Sequence, residues 1–258
     1  MPRVLLCLIL LSSFHVCAQT PEERGLEIVM EADRRDTGWG DMQADTRMIL
    51  HNRHGQSSER EMENSALEVE NDGDKSLIVF KHPKDVKGAA FLTFTHAREA
   101  DDQWLYLPAL TRIKRISSNN KSGSFMGSEF AYEDLSSQEV EKYTYRYIKD
   151  DVTDGRDVFV IERYPAYEHS AYTRQQVFLD KSMYQPLKVV FYDRKNALYK
   201  TLTFKDYHQY LDRYWRAGSM LMINHQSGKS TDLLWTNIKF RNGFSDNDFN
   251  TNSLKRAR

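Results

Sequence analysis

Between Pro21 and Asp36 the apolar positions Leu26, Val29 and Met30 fall near helical spacing. Glu22 and Glu23 lead this stretch and Arg34 and Arg35 close it, the charge order that a helix dipole favours, so an α-helix is predicted here. Thr37-Gly38-Trp39-Gly40 stops it. Beyond that point the pattern shortens to the period of strands, predicted at 42–50, 59–69, 75–80, 89–95 and 103–116, and then at 142–149, 158–163, 174–180, 187–193, 198–206, 207–215, 220–226 and 230–240. Turn signals such as His54-Gly55, Asn71-Asp72-Gly73-Asp74, Lys87-Gly88, Asp154-Gly155 and Ser227-Gly228-Lys229 separate them. Short connectors between strands of similar length describe an antiparallel meander. No Pro-, Gly- or Ser-rich linker divides it, so residues 19–258 are expected to form one domain.

Several strands break the alternation expected of a sheet with one wet face. In 104–108, Trp104, Tyr106 and Pro108 point one way, Leu105 and Leu107 the other, and both sets are apolar. Met220-Leu221-Met222-Ile223 behaves similarly. Such strands need cover on both faces, or they line a cavity on one of them. Two architectures satisfy this: a closed barrel or sandwich with a layered core, or a long twisted sheet curled around its own apolar face and plugged by a few helices. Methionines scattered through the strands suit an irregular apolar space, although most core methionines merely pack.

The N-terminus changes where this fold is expected to work. Arg3 precedes the apolar run 4–11, then Ser12, Ser13 and the small-residue exit Val16-Cys17-Ala18, the layout of a secretory signal peptide cleaved after Ala18. The run is too short to span a bilayer. Acylation at Cys17 is disfavoured because Phe14-His15-Val16 lacks the small residues of a lipoprotein processing site. Cys7 and Cys17 are the only cysteines, so the mature chain would have no thiol, no disulfide and no Cys-ligated metal. With Arg3 removed, 36 − 1 = 35 basic side chains face 37 acidic ones, and no nucleic-acid partner is implied.

No catalytic set stands out. His51-Asn52-Arg53-His54 lacks a third metal ligand, and Gly123-Ser124-Phe125-Met126-Gly127-Ser128 is not a nucleophile elbow. Ser124 or Ser128 could still meet one of His82, His96, His169, His208 or His225 across the fold. Asp101-Asp102 and Glu133-Asp134 read as solvated charge or as a helix start. Arg112, Lys114 and Arg115 follow a doubly apolar strand, where a basic rim would suit the head of an anionic or hydrogen-bonding amphiphile, or would simply pair with Glu129, Glu133 and Asp134.

These residues carry a resemblance. Trp104-Leu105-Tyr106-Leu107-Pro108, Lys114-Arg115-Ile116, the run from Gly123 to Phe130 and Tyr132-Glu133-Asp134-Leu135 resemble the outer-membrane lipoprotein-sorting protein family, a branch of the LolA-like superfamily. Val86-Lys87-Gly88, Pro186-Leu187-Lys188-Val189 and the segment 249–254 also fit. The resemblance implies a mainly β (α+β) fold: an unclosed antiparallel β-barrel around an apolar cavity, with an N-terminal helix and short lid helices. It further implies a non-enzymatic periplasmic carrier of an acyl chain or lipoprotein, without cofactor or metal, working with an inner-membrane exporter of the resistance-nodulation-division type. On that expectation Trp104, Leu105, Tyr106, Leu107, Met220 and Met222 line the cavity, Phe125, Met126, Phe130 and Tyr132 form a movable lid, and Arg112 and Arg115 border the mouth. A lipid hydrolase using a loop serine, and a sensor or adaptor that binds protein alone, are the alternatives.

Overall fold

The computed structural model describes residues 19–256. The leader with its expected cleavage after Ala18 lies outside the described residues. Helix α1 spans Pro21–Asp36, as its pattern predicts. Thr20 Oγ1 accepts the Glu23 amide at 3.2 Å while the Glu23 carboxylate accepts the Thr20 amide at 2.8 Å, a capping box with Pro21 at the first helical position. Gly25 lets the helix lie directly on a strand: a Cβ there would stand 2.8 Å from the Tyr147 amide nitrogen.

Thirteen strands follow: β1 (Asp41–His51), β2 (Ser57–Leu67), β3 (Lys75–His82), β4 (Ala90–Phe94), β5 (Asp102–Leu107), β6 (Arg112–Ile116), β7 (Tyr143–Thr153), β8 (Arg156–Pro165), β9 (Tyr172–Asp180), β10 (Pro186–Asp193), β11 (Leu198–Tyr210), β12 (Tyr214–Asn224) and β13 (Lys229–Phe240). All join one antiparallel sheet in the order β6-β5-β4-β3-β2-β1-β13-β12-β11-β10-β9-β8-β7. The edge strands β6 and β7 do not pair, so the barrel is unclosed. Helix α2 (Thr251–Arg256) ends the described chain.

Two strand expectations change. The stretch 103–116 is two strands, because Pro108–Leu110 makes a 3-10 turn and Thr111 takes a left-handed φ of 50°. Conversely 198–206 and 207–215 do not divide at Asp206 but at a turn over 211–213, so the expected 207–215 strand is split between β11 and β12. At Asp206 β11 continues through a residue at φ 55°, accommodated by Gly218 on β12, where a Cβ would meet the Asp206 carbonyl oxygen at 2.9 Å.

Cross-strand register places Leu105 opposite Phe91, Phe91 opposite Ile78, and Met48 opposite Leu233 on the inner face. These residues join one core cluster with Met62, Phe80, Leu202 and Met222. On the outer face Trp104, Tyr106 and Ile113 pack with Val79, Leu92, Phe249 and Leu254 under the C-terminal segment. The double apolarity of β5 therefore has two separate covers. The 220–223 stretch of β12 has only one: Met220 and Met222 face the inner cluster, whereas Ile223 is exposed on the other side.

Candidate functional site

The curled sheet encloses a cavity of about 2690 Å³. Its wall is the inner face of the middle and late strands, with Ile78, Val177, Val189, Leu202, Phe204, Met220, Leu233 and Trp235 turned into the space. Cross-strand pairing explains the continuity of this wall, since Val177 lies opposite Val189, Val189 opposite Leu202, and Phe204 opposite Met220. Helix α1 lies along the open side and presents Leu26, Val29 and Met30 to the same space. Leu26 and Met30 stay 41% and 55% exposed, so apolar surface continues from the wall out to the mouth.

The segment between the two sheet edges, residues 117–142, crosses the inner face as a strap. Phe125 is fully buried against Phe80, Phe91 and Tyr132, with ring centroids 5.1 to 5.9 Å apart. On one side Asp101 ties both ends of the strap, binding Lys142 and, at 3.4 Å, Lys121, while Ser136 donates to it at 2.8 Å. On the other side the Glu129 carbonyl accepts from Lys200 Nζ at 2.7 Å, its carboxylate from Asn224 at 2.7 Å, and its amide donates to Thr231. Glu133 accepts the Tyr167 and Ser170 hydroxyls and the Ala171 amide at 2.8 to 2.9 Å, and Tyr172 donates to Asp134 at 3.0 Å. Burial pushes the Glu133 carboxyl up, and the adjacent Asp134 adds to this. Held this way on both sides, the strap forms the end wall of the cavity, and the mouth lies beside α1.

That mouth is acidic. Asp33 and Asp36 come from the end of α1, Glu68 and Asp74 from the β2–β3 connection, and Glu139 and Glu141 from the end of the strap. Gly73 makes the connection tight enough, since a Cβ there would meet Thr95 at 2.7 Å. Burial, followed by the negative charge of Glu139, pushes the Asp74 carboxyl up to about 7. Between about pH 4 and pH 7 the folded protein thus holds a proton that an unfolded chain releases, so stability falls as the pH rises through that window. Asp74→Asn keeps the acceptor for the Val69 amide and removes the charge. The variant is expected to melt about 2–4 °C or more above the wild type at pH 8, a gain that shrinks as the pH approaches 4. A pH-independent difference in calorimetric melting would refute the assignment.

Comparison with known proteins places this geometry. A family model described as "uncharacterized protein" matches residues 72–256. A crystal structure of a protein domain named for outer-membrane lipoprotein sorting, from Vibrio parahaemolyticus, is 60% identical, with a TM-score of 0.90 over 91% of this chain and 100% of that one. The chain belongs to the outer-membrane lipoprotein-sorting protein family. A DUF1329 family protein from Desulfovibrio piger ATCC 29098 is 29% identical, with a TM-score of 0.87 over 92% of this chain and all of that one. A LolA superfamily protein from Nitrosomonas europaea, 19% identical with a TM-score of 0.70 over 92% of this chain and all of that one, shares the fold. Among curated proteins none matches.

Within this member of the lipoprotein-sorting family, the residues singled out from sequence are distributed unevenly around the cavity. Phe130 and Met220 line it. Leu105, Leu107, Met222, Phe125, Met126 and Tyr132 lie next to it in the packed inner cluster. Trp104 and Tyr106 are on the opposite face under α2, because residue alternation on β5 turns them away from Leu105. Arg112 and Arg115 sit on the exposed edge strand β6, with Arg115 paired to Asp102, and neither borders the cavity. The expected basic rim is replaced by carboxylates from three separate segments, a set that no spacing in the sequence announces. Ser124 donates to the Ser128 carbonyl at 2.5 Å and Ser128 bonds the Phe130 backbone, so both hydroxyls are used within the strap itself. His51 pairs with Asp232 and His96 with Asp72 at 2.8 Å. Among the described residues no group of three or more His, Cys, Asp or Glu side chains is arranged to hold a metal ion.

Proposed function

We propose that this protein is a periplasmic carrier that shelters the acyl chains of a lipid or lipoprotein in the cavity of its unclosed barrel, receiving or passing cargo at an inner-membrane exporter of the resistance-nodulation-division type. The observation that supports the reading is the cavity: at about 2690 Å³ it is several times the ~300–1,000 Å³ of ordinary small-molecule pockets, and most of its lining surface is apolar. At roughly 25 cal/mol per Å² of apolar surface removed from water, one sheltered acyl chain gains several kcal/mol, enough for retention in water and small enough for release. Ser124 and Ser128 spend their hydroxyls on neighbouring backbone, which favours carriage over hydrolysis. Native mass spectrometry of the protein taken from its own periplasm is expected to show bound amphiphile that is lost on organic extraction. Protein that arrives at its bare mass, with its cavity intact by dye binding, would count against the reading.

A further inference from the structure

The cavity has a largely apolar wall and a mouth where carboxylates outnumber the cations. Of the six carboxylates at the mouth, only Asp36 has an ion-pair partner among the described residues, Arg216 at 2.6 Å. Asp33 and Glu141 make no side-chain hydrogen bond there. Glu68 accepts the amides of Gly38 and Gly40, and Asp74 that of Val69. Most cations near them are engaged with other groups, although Lys142 also acts on Glu139, and Arg163 on the cavity wall donates to Gln175 and lies over the Tyr143 ring. Lys121 and Lys142 hold Asp101, Arg34 and Arg35 hold Glu31, and Arg213 caps the carbonyls of Arg34 and Arg35 at the end of α1. Arg98, an exposed cation beside Glu99, is too little to reverse the sign. Burial raises the Asp33 carboxyl first, and Glu141 and Glu68 raise it further, as expected when carboxylates share a space without counter-ions.

An amphiphile whose tail lies against Leu202, Phe204 and Met220 leaves its polar end among these groups. We propose that the polar end of the cargo is cationic, an amine or ammonium head group, and that the carboxylate mouth rejects chains ending in an anion. The inference rests on the carrier reading and adds the chemical class of what is carried. Complementarity of charge selects the occupant, since like charges facing each other across a low-dielectric mouth are costly. A single metal ion fits less well, because these carboxylates are spread around the mouth and do not converge on one point.

Three probes with the same dodecyl tail test this: dodecyltrimethylammonium, dodecyl maltoside and dodecyl sulfate, each below its micellar concentration, displacing a fluorescent apolar dye from the full mature chain near pH 8. The ammonium is expected to bind on the order of tenfold more tightly than the sulfate at low salt, with the maltoside between them and the gap narrowing in high salt. In Asp33→Asn/Asp74→Asn/Glu139→Gln, checked to unfold no earlier than the wild type, the ammonium and sulfate affinities are expected to converge within about twofold. Equal or inverted ammonium and sulfate affinities in the wild type, with the maltoside bound, would overturn the head-group inference and leave the carrier intact. Failure of all three probes to displace the dye would overturn both.

Discussion

Replacing Phe204 and Met220 together by aspartate is expected to strip the protein of its lipid while leaving it folded. The two side chains are cross-strand partners on β11 and β12, both line the cavity, and both are only half buried. Each contributes roughly 1.5–3 kcal/mol of apolar burial to anything that lies on it, and two carboxylates in their place set ionised groups against a hydrocarbon chain. A loss of about 3 kcal/mol already corresponds to roughly a hundredfold in affinity. Co-purified amphiphile, counted by native mass spectrometry, should fall by at least that order, while circular dichroism stays that of the wild type. A full lipid load in the double variant would remove this wall from the binding site. The choice of residues matters, because aspartate at Leu105 would enter a packed position that is 5% exposed, and would report on folding more than on binding.

Asp101→Ala is expected to be the most destabilising single change outside the hydrophobic core. The carboxylate holds Lys142 and Lys121, whose side chains are 10% and 9% exposed, and it accepts from Ser136 and from the His96 amide. Burial by itself would raise its pKa, yet the Lys142 ammonium, followed by that of Lys121, holds it below the ordinary value. Stability from this group is therefore present above about pH 4 and lost as acid carries the pH down through the folded pKa. Truncation leaves two nearly buried ammonium groups facing each other, a change worth about 3–5 kcal/mol, or a melting point lower by roughly 10 °C for a chain of this size. Asp101→Ala combined with Lys121→Met and Lys142→Met should recover more than half of that loss, because no unpaired charge remains. A single variant that melts within about 2 °C of the wild type would show that the strap is anchored elsewhere.

Much of the architecture was legible locally. The bounds of α1 follow from Thr20, Pro21 and Glu23, three neighbours in the chain that satisfy one another. The division of β5 into two apolar faces follows from alternation alone. Where the reading slipped, a local turn or a neighbouring strand had intervened. Pro108 and Thr111 break a strand whose apolar period continues to Ile116, and Gly218 on the neighbouring strand carries β11 past Asp206. The motif from Gly123 to Leu135 was visible and identified the family, but its role was not. A run of Phe125, Met126, Phe130 and Tyr132 looks like a cover until Lys200, Asn224, Thr231 and Tyr172 are seen holding it from strands far along the chain.

The sequence by itself determined the helix, the strand-rich meander, the thiol-free described chain and membership in a family of unclosed barrels, because each of these depends on neighbours or on a contiguous motif. Only the tertiary structure decided which side of Trp104 faces inward, that the strap is an end wall, and that the mouth is acidic. A period of two distinguishes the faces of a strand without saying which is enclosed, and that choice was made by Phe249 and Leu254, more than a hundred residues away. The charge of the mouth was decided in the same way. Asp33, Asp74 and Glu139 are unrelated along the chain and acquire a common field only when α1, the β2–β3 connection and the strap converge.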